Sequence, residues 1–132
     1  MSLNAFDNLR STHPDWLDVI AAIERLINRT LRVDPHAVID DEIITQQVRI
    51  DPKQVMRLLV ELEGWHALVR RLFWLCPAGR GTTLEASSLQ EFPAFIECSR
   101  CGQEHRLHAG DVEVKFLPSD SLLRDVLATQ DR

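Results

Sequence analysis

Apolar residues recur at helical spacing through the first half of the chain and cluster in short β-prone runs through the second. Trp16, Ile20, Ile23 and Ile27, with Val19 and Leu26 beside them, form one stripe, and Asp18, Glu24, Arg25 and Arg29 fall mostly off it. That period predicts an amphipathic helix over residues 14–30. Its start is read at Ser11-Thr12-His13-Pro14-Asp15, where Thr12 can cap, proline suits the first turn and Asp15 suits the positive end of the helix dipole. Residues 31–39 read as a connection with a short helix or edge strand at 37–39. Asp40-Asp41-Glu42 opens a second helix through residue 48, with Ile43, Ile44 and Val48 as its apolar positions. Arg49-Ile50-Asp51 is a turn, and Asp51-Pro52 starts a third helix that turns Val55, Leu58, Leu59 and Leu62 inward until Gly64 ends it.

Residues 67–76 are strongly β-prone and predict one or two strands around Arg70-Arg71. A polar loop is expected over 82–94, then three short strands at 95–98, 104–107 and 112–116, with a turn at 108–111. Leu117-Pro118-Ser119 leads into a closing helix over 120–129, whose Leu122, Leu123, Val126 and Leu127 are expected to pack on the chain's own body. The order of elements is that of an α+β protein.

A length of 132 residues allows one compact domain or two very small ones. The longest apolar stretches, 19–23 and 72–78, are too short to cross a bilayer, so no membrane span is expected. Met1-Ser2-Leu3 reads as a cloning remnant and is set aside. With no targeting segment and an odd number of cysteines, the expected compartment is a reducing cytoplasm. Thirteen of the fifteen basic residues are arginine, which suggests a GC-rich, bacterial source. Net charge is −5, and only residues 51–80 are net positive, by two. That is a weak basic footprint for a nucleic-acid binder.

All three cysteines lie in the C-terminal part of the chain. Cys98-Ser99-Arg100-Cys101-Gly102 can hold two thiolates on one side of a tight bend around a tetrahedral zinc, with Gly102 taking backbone angles that other residues resist. Structural zinc takes four ligands. Cys76, followed by Pro77 at the end of an apolar run, resembles the opening of a zinc ribbon and supplies the third. A complete ribbon would place another cysteine near Gly79, and none is there. His105 is the choice for the fourth, with His108 behind it. Strand alternation sets His105 and Leu107 on one face and Arg106 and His108 on the other. The competing reading is that the cysteines are simply small core residues. A disulfide, a thioredoxin-type pair and a zinc deaminase site all fit less well, for want of an even cysteine count, a helix after the motif and an upstream His-x-Glu.

Three helices followed by a strand or hairpin resemble a winged helix-turn-helix domain from Pro14 to Leu75. A Cys-Pro leading from it into a ribbon resembles the winged-helix plus zinc-ribbon proteins, of which archaeal general transcription factor E is the familiar type. The resemblance implies a winged-helix domain over 1–75, a small antiparallel zinc-ribbon-like segment over 76–118 and a C-terminal helix over 119–132. It further implies that the third helix would enter a major groove with Lys53, Gln54 and Arg57 outward, and that Arg70 and Arg71 would lie in the wing. The alternative is that these five residues form an ordinary solvated surface.

The expected function is therefore a non-enzymatic, DNA-binding regulator with a structural zinc. The other reading is a protein-interaction adaptor in a larger bacterial assembly, with Trp65, Phe73 and Trp74 as candidate contacts and Trp74 better explained by core packing. No catalytic set is implied by spacing, and a catalytic zinc would require that neither histidine bind the metal. Double-stranded DNA and a protein are the expected partners, no membrane is, and the oligomeric state, a homodimer included, is open.

Overall fold

The computed structural model describes residues 3–79 and 82–130, so Met1, Ser2, Arg80, Gly81, Asp131 and Arg132 lie outside the described residues. The chain is mixed α+β, with five α-helices and two small antiparallel sheets among the described residues. It divides into a helical unit, formed by the first 69 residues and the tail from Phe116, and a smaller β unit, Arg70–Lys115.

The helical unit begins earlier than its apolar stripe predicts. Helix α1 spans Asn4–Thr12, and α2 spans Leu17–Val33 after a 3-10 turn at Pro14–Trp16. Thr12 is thus the last residue of α1, not a cap for α2, and its hydroxyl donates to the Asn8 carbonyl at 2.8 Å. Pro14 breaks the helix because it has no N–H and clashes with a preceding helical turn. Leu3, set aside as a remnant, is fully buried with Phe6 and Leu9. The first amides of α1 are satisfied from a distance. Glu24 Oε2 accepts from the Leu3 N–H at 2.8 Å, and Asp125 accepts from Asn4. Glu24, expected on the polar side of its helix, is consequently buried, with Arg10 as its counter-ion at 3.0 Å.

Helices α3, Asp41–Val48, and α4, Pro52–Gly64, pack on each other and follow their sequence signals closely. Asp40 and Asp51 each accept an amide two residues on, at 2.9 Å, and Pro52 pre-sets the first turn of α4. Ile44, Val55, Leu58, Leu59 and Leu62 are buried, and Ile43 is half exposed. Arg49 makes the turn between the two helices in the left-handed region, with φ 59°. Gly64 does not make the terminating turn of α4. His66 does, at φ 61°, with its N–H on the Glu63 carbonyl and the Ala67 N–H on that of Leu62, the paired bonds of a Schellman end.

Strand β1, Leu68–Leu75, leads into the β unit, and the chain returns along its sheet neighbour β5, Val112–Pro118. The third strand of that sheet, β2, Thr82–Ala86, falls where a polar loop was expected. It pairs antiparallel with β1 in the register Leu72 to Ala86, Phe73 to Glu85 and Trp74 to Leu84, with an irregularity before Leu75. β3, Phe95–Glu97, and β4, Glu104–Arg106, form a separate hairpin, so the three C-terminal strands do not share one sheet. At the return to the helical unit, Ile39 makes an antiparallel bridge with Phe116, its N–H 2.7 Å from the Phe116 carbonyl. Helix α5, Asp120–Gln130, packs on α1 and α2 through buried Leu122 and Val126, and Leu127 is exposed. No helix among the described residues is long and apolar enough to cross a membrane.

Candidate metal centre

The β unit is close to the size, about 40 residues, below which a domain usually needs a metal, disulfides or a partner to stay folded. Its core is correspondingly small: Trp74, Cys76, Ala86, Phe92, Ile96 and Cys98, with Leu72, Leu84, Cys101, Leu107 and Val112 packed around them. All three cysteines are free thiols and all belong to this core.

Strand alternation delivers them to it. On β1 the inward positions Trp74 and Cys76 are buried two residues apart. On β3 Ile96 is buried between exposed Phe95 and Glu97, and Cys98 continues the inner face. His105 stands directly opposite Ile96 across the β3–β4 ladder and is half-buried, as is Leu107, whereas Arg106 and His108 are exposed. The bend between the strands is closed by two backbone bonds, from the Cys98 N–H to the Gln103 carbonyl at 2.9 Å and from the Gly102 N–H to the Cys98 carbonyl at 2.8 Å. Gly102 has φ 75°, the left-handed conformation that the turn requires.

These constraints bring the His105 Nε2 to 3.1 Å from the Cys101 sulfur and 3.8 Å from the Cys76 sulfur. The ligand atoms of Cys76, Cys101 and His105 lie within 4.8 Å of one another, and this group can hold a metal ion. Zn–S bonds near 2.3 Å and Zn–N bonds near 2.05 Å at tetrahedral angles put neighbouring S and N ligands about 3.5 Å apart. The two observed distances bracket that value. Cys98 is buried in the same small core but is not one of the three residues of this group. His108 is not part of the group.

The bend also divides the two thiols of the motif electrostatically. The Cys101 amide, aided by that of Arg100 and by the neighbouring thiols, holds the Cys98 thiol below its ordinary range and favours its thiolate. The Gln103 amide pulls Cys101 the same way, but burial and the proximity of Cys76 and Cys98 outweigh it and leave that thiol raised. Trp74 lies against the group with its ring centroid 5.7 Å from that of His105. It is fully buried, and its indole N–H has no hydrogen-bond partner.

Three of the candidate nucleic-acid residues belong to the helical unit and two to the β unit. Lys53 and Arg57 are exposed on α4 and Gln54 is half-buried there. Arg57 Nε is 3.7 Å from Glu61, and its guanidinium lies over the Trp16 ring, 5.5 Å from the centroid. In the β unit Arg70 is exposed, while Arg71 donates to Glu85 at 2.7 Å and to the Ser87 hydroxyl at 3.2 Å. Trp74 is core, Phe73 is half-buried and Trp65 is half exposed. Sequence reasoning missed His13, which is nine-tenths buried and bonds Glu61 at 2.7 Å. Its position beside the Pro14 helix break was the available signal.

Comparison with known proteins gives no further assignment: no family model matches the chain, and no curated protein or solved structure matches it.

Proposed function

We propose that this chain is a non-enzymatic, DNA-binding regulator of the winged-helix type, whose wing carries a module pinned by a structural zinc held by Cys76, Cys98, Cys101 and His105. The observation that carries this reading is the Ile39–Phe116 bridge beside neighbouring β1 and β5. A winged helix places a short strand between its first two helices against the returning strand of its wing, which in turn pairs with the strand leaving the third helix. Here α2, Ile39, α3, α4, β1 and β5 follow in that sequence, with the cysteine-bearing segment between the last two. Four protein ligands fill a tetrahedral ion completely, so the metal contributes folding energy and leaves no open position for chemistry. Lys53 and Arg57 on the outward side of α4 are of the types that contact phosphates and base edges.

Gel shifts with duplex DNA across a salt series test the reading. Binding is expected to fall steeply with salt and to be weakened by Lys53→Ala and Arg57→Ala. Absence of a shift at low salt would abandon it. A second reading, a zinc-stabilised adaptor for a protein partner, is favoured by the carboxylates that neutralise Arg57 and Arg71 and by the exposure of Trp65 and Phe95. A chain that holds zinc yet ignores duplex at every salt concentration would be that adaptor.

A further inference from the structure

The α4 arginine assigned to DNA above sits in a network with the most buried histidine of the helical unit. His13 Nε2 is 2.7 Å from Glu61 Oε2, and its ring stacks on Trp16 with centroids 4.5 Å apart and planes within 5°. The same Glu61 oxygen is 3.7 Å from Arg57 Nε, and the Arg57 guanidinium rests over the Trp16 ring. Burial grades along the chain of contacts, from His13 at 9% exposure through Glu61 at 27% to Arg57 at 64%. Trp16 is therefore shared, with the histidine stacked on it and the guanidinium held over it.

Glu61 is poorly placed to serve the helix itself. It lies near the C-terminal end of α4, where the dipole disfavours an acid, and it follows its arginine by four residues, the weaker order for such a pair. At 3.7 Å the contact is looser than a hydrogen-bonded ion pair. The carboxylate is instead anchored at its buried side by His13 and faces the cation only loosely on the other.

Resting on the winged-helix reading, we propose that Glu61 is the resting counter-ion of Arg57 and that a backbone phosphate of duplex DNA takes its place. Trp16 holds the guanidinium in position during the exchange, and His13 retains Glu61 afterwards. Trp16 and Glu61 are positioning residues for Arg57. Specific and nonspecific duplexes alike would pass through this exchange, since phosphates carry no sequence.

The test is fluorescence anisotropy with a labelled nonspecific duplex at fixed low salt, run as two double-mutant cycles. Glu61→Gln keeps a hydrogen-bonding group for His13 and is expected to tighten binding roughly twofold to fivefold, the scale of one exposed ion pair. In an Arg57→Gln background the same change is expected to do nothing. Trp16→Leu is expected to weaken binding by a similar factor when Arg57 is present and to have no effect when it is Gln, which provides a readout independent of the Glu61 variant. Tightening that persists without Arg57 would mean simple relief of charge repulsion and would overturn the exchange, as would no tightening at all. Failure of the unmodified chain to bind duplex would instead remove the DNA reading on which the exchange rests.

Discussion

The sulfur of Cys76 lies 3.8 Å from the Nε2 of His105, a residue 29 positions further along the chain. Only the fold of the β unit brings the two together, and with Cys101 they form a group that could hold a metal ion. The purified protein is expected to contain one equivalent of zinc by elemental analysis. Cys76→Ser and Cys98→Ser should abolish it and His105→Ala should weaken it, whereas His108→Ala should leave it at full occupancy. Chelation should unfold the β unit, because binding free energy at structural zinc sites, with apparent values of about 10–16 kcal/mol, is folding free energy. Full occupancy in the His105 variant would remove that residue from the ligand set.

Glu24 answers the Leu3 amide and Arg10 from within α2. Glu24→Ala leaves the buried Leu3 N–H without its acceptor and Arg10 with Asp7 alone, and should cost about 2–3 kcal/mol in urea unfolding. Glu24→Gln retains the acceptor for Leu3 but loses the charge, and should fall between the two. Equal stability of the Ala variant and the native chain would show that water replaces the carboxylate.

The end of α4 offers two stabilising changes. His66 carries a side chain in a conformation that disfavours one, and His66→Gly should gain about 0.5–1 kcal/mol. Gly64 has the reverse problem: it sits in the last helical turn, and a Cβ added there meets no atom within 4 Å. Gly64→Ala should gain up to about 1 kcal/mol. Thermal melts of the two variants and their combination would check both signs.

Glu91 accepts hydrogen bonds from the backbone and the hydroxyl of Ser87, and these hold its carboxyl below the ordinary glutamate range. The folded state therefore binds this proton less readily than the unfolded chain. The contribution is fully present above the unfolded value, about 4.3, and disappears as pH falls through the lower folded value. Glu91→Gln should be less stable than the native chain at neutral pH, with the difference closing below about pH 4. A gap that stays constant through this range would exclude the linkage.

What the sequence made legible was whatever is decided locally. Asp40, Asp51 and Pro52 cap and start their helices by contacts within two residues, and α3 and α4 appear within a residue of their predicted bounds. Alternation set His105 and His108 on opposite faces, and the structure half-buries the first and exposes the second. Features decided at long range were hidden. Helix α1 has few apolar residues, and its amide caps come from Glu24 and Asp125, far away in sequence. Strand β2 reads as polar because it lies at the edge of its sheet and is defined only by its partner β1. Gly64 was the obvious helix terminator, yet left-handed geometry two residues later falls to His66, a residue far less common there than glycine. β5 pairs with β1 and not with the β3–β4 hairpin, a pairing that no local pattern encodes.

The closeness of Trp74 to His105 gives the β unit an optical consequence. An indole sealed from water emits toward the blue, and a coloured, open-shell ion seated a few ångströms away would drain that emission by energy transfer. Cobalt loaded in place of zinc should therefore darken one of the three tryptophans selectively, turning the intrinsic glow of the protein into a gauge of its own metal content.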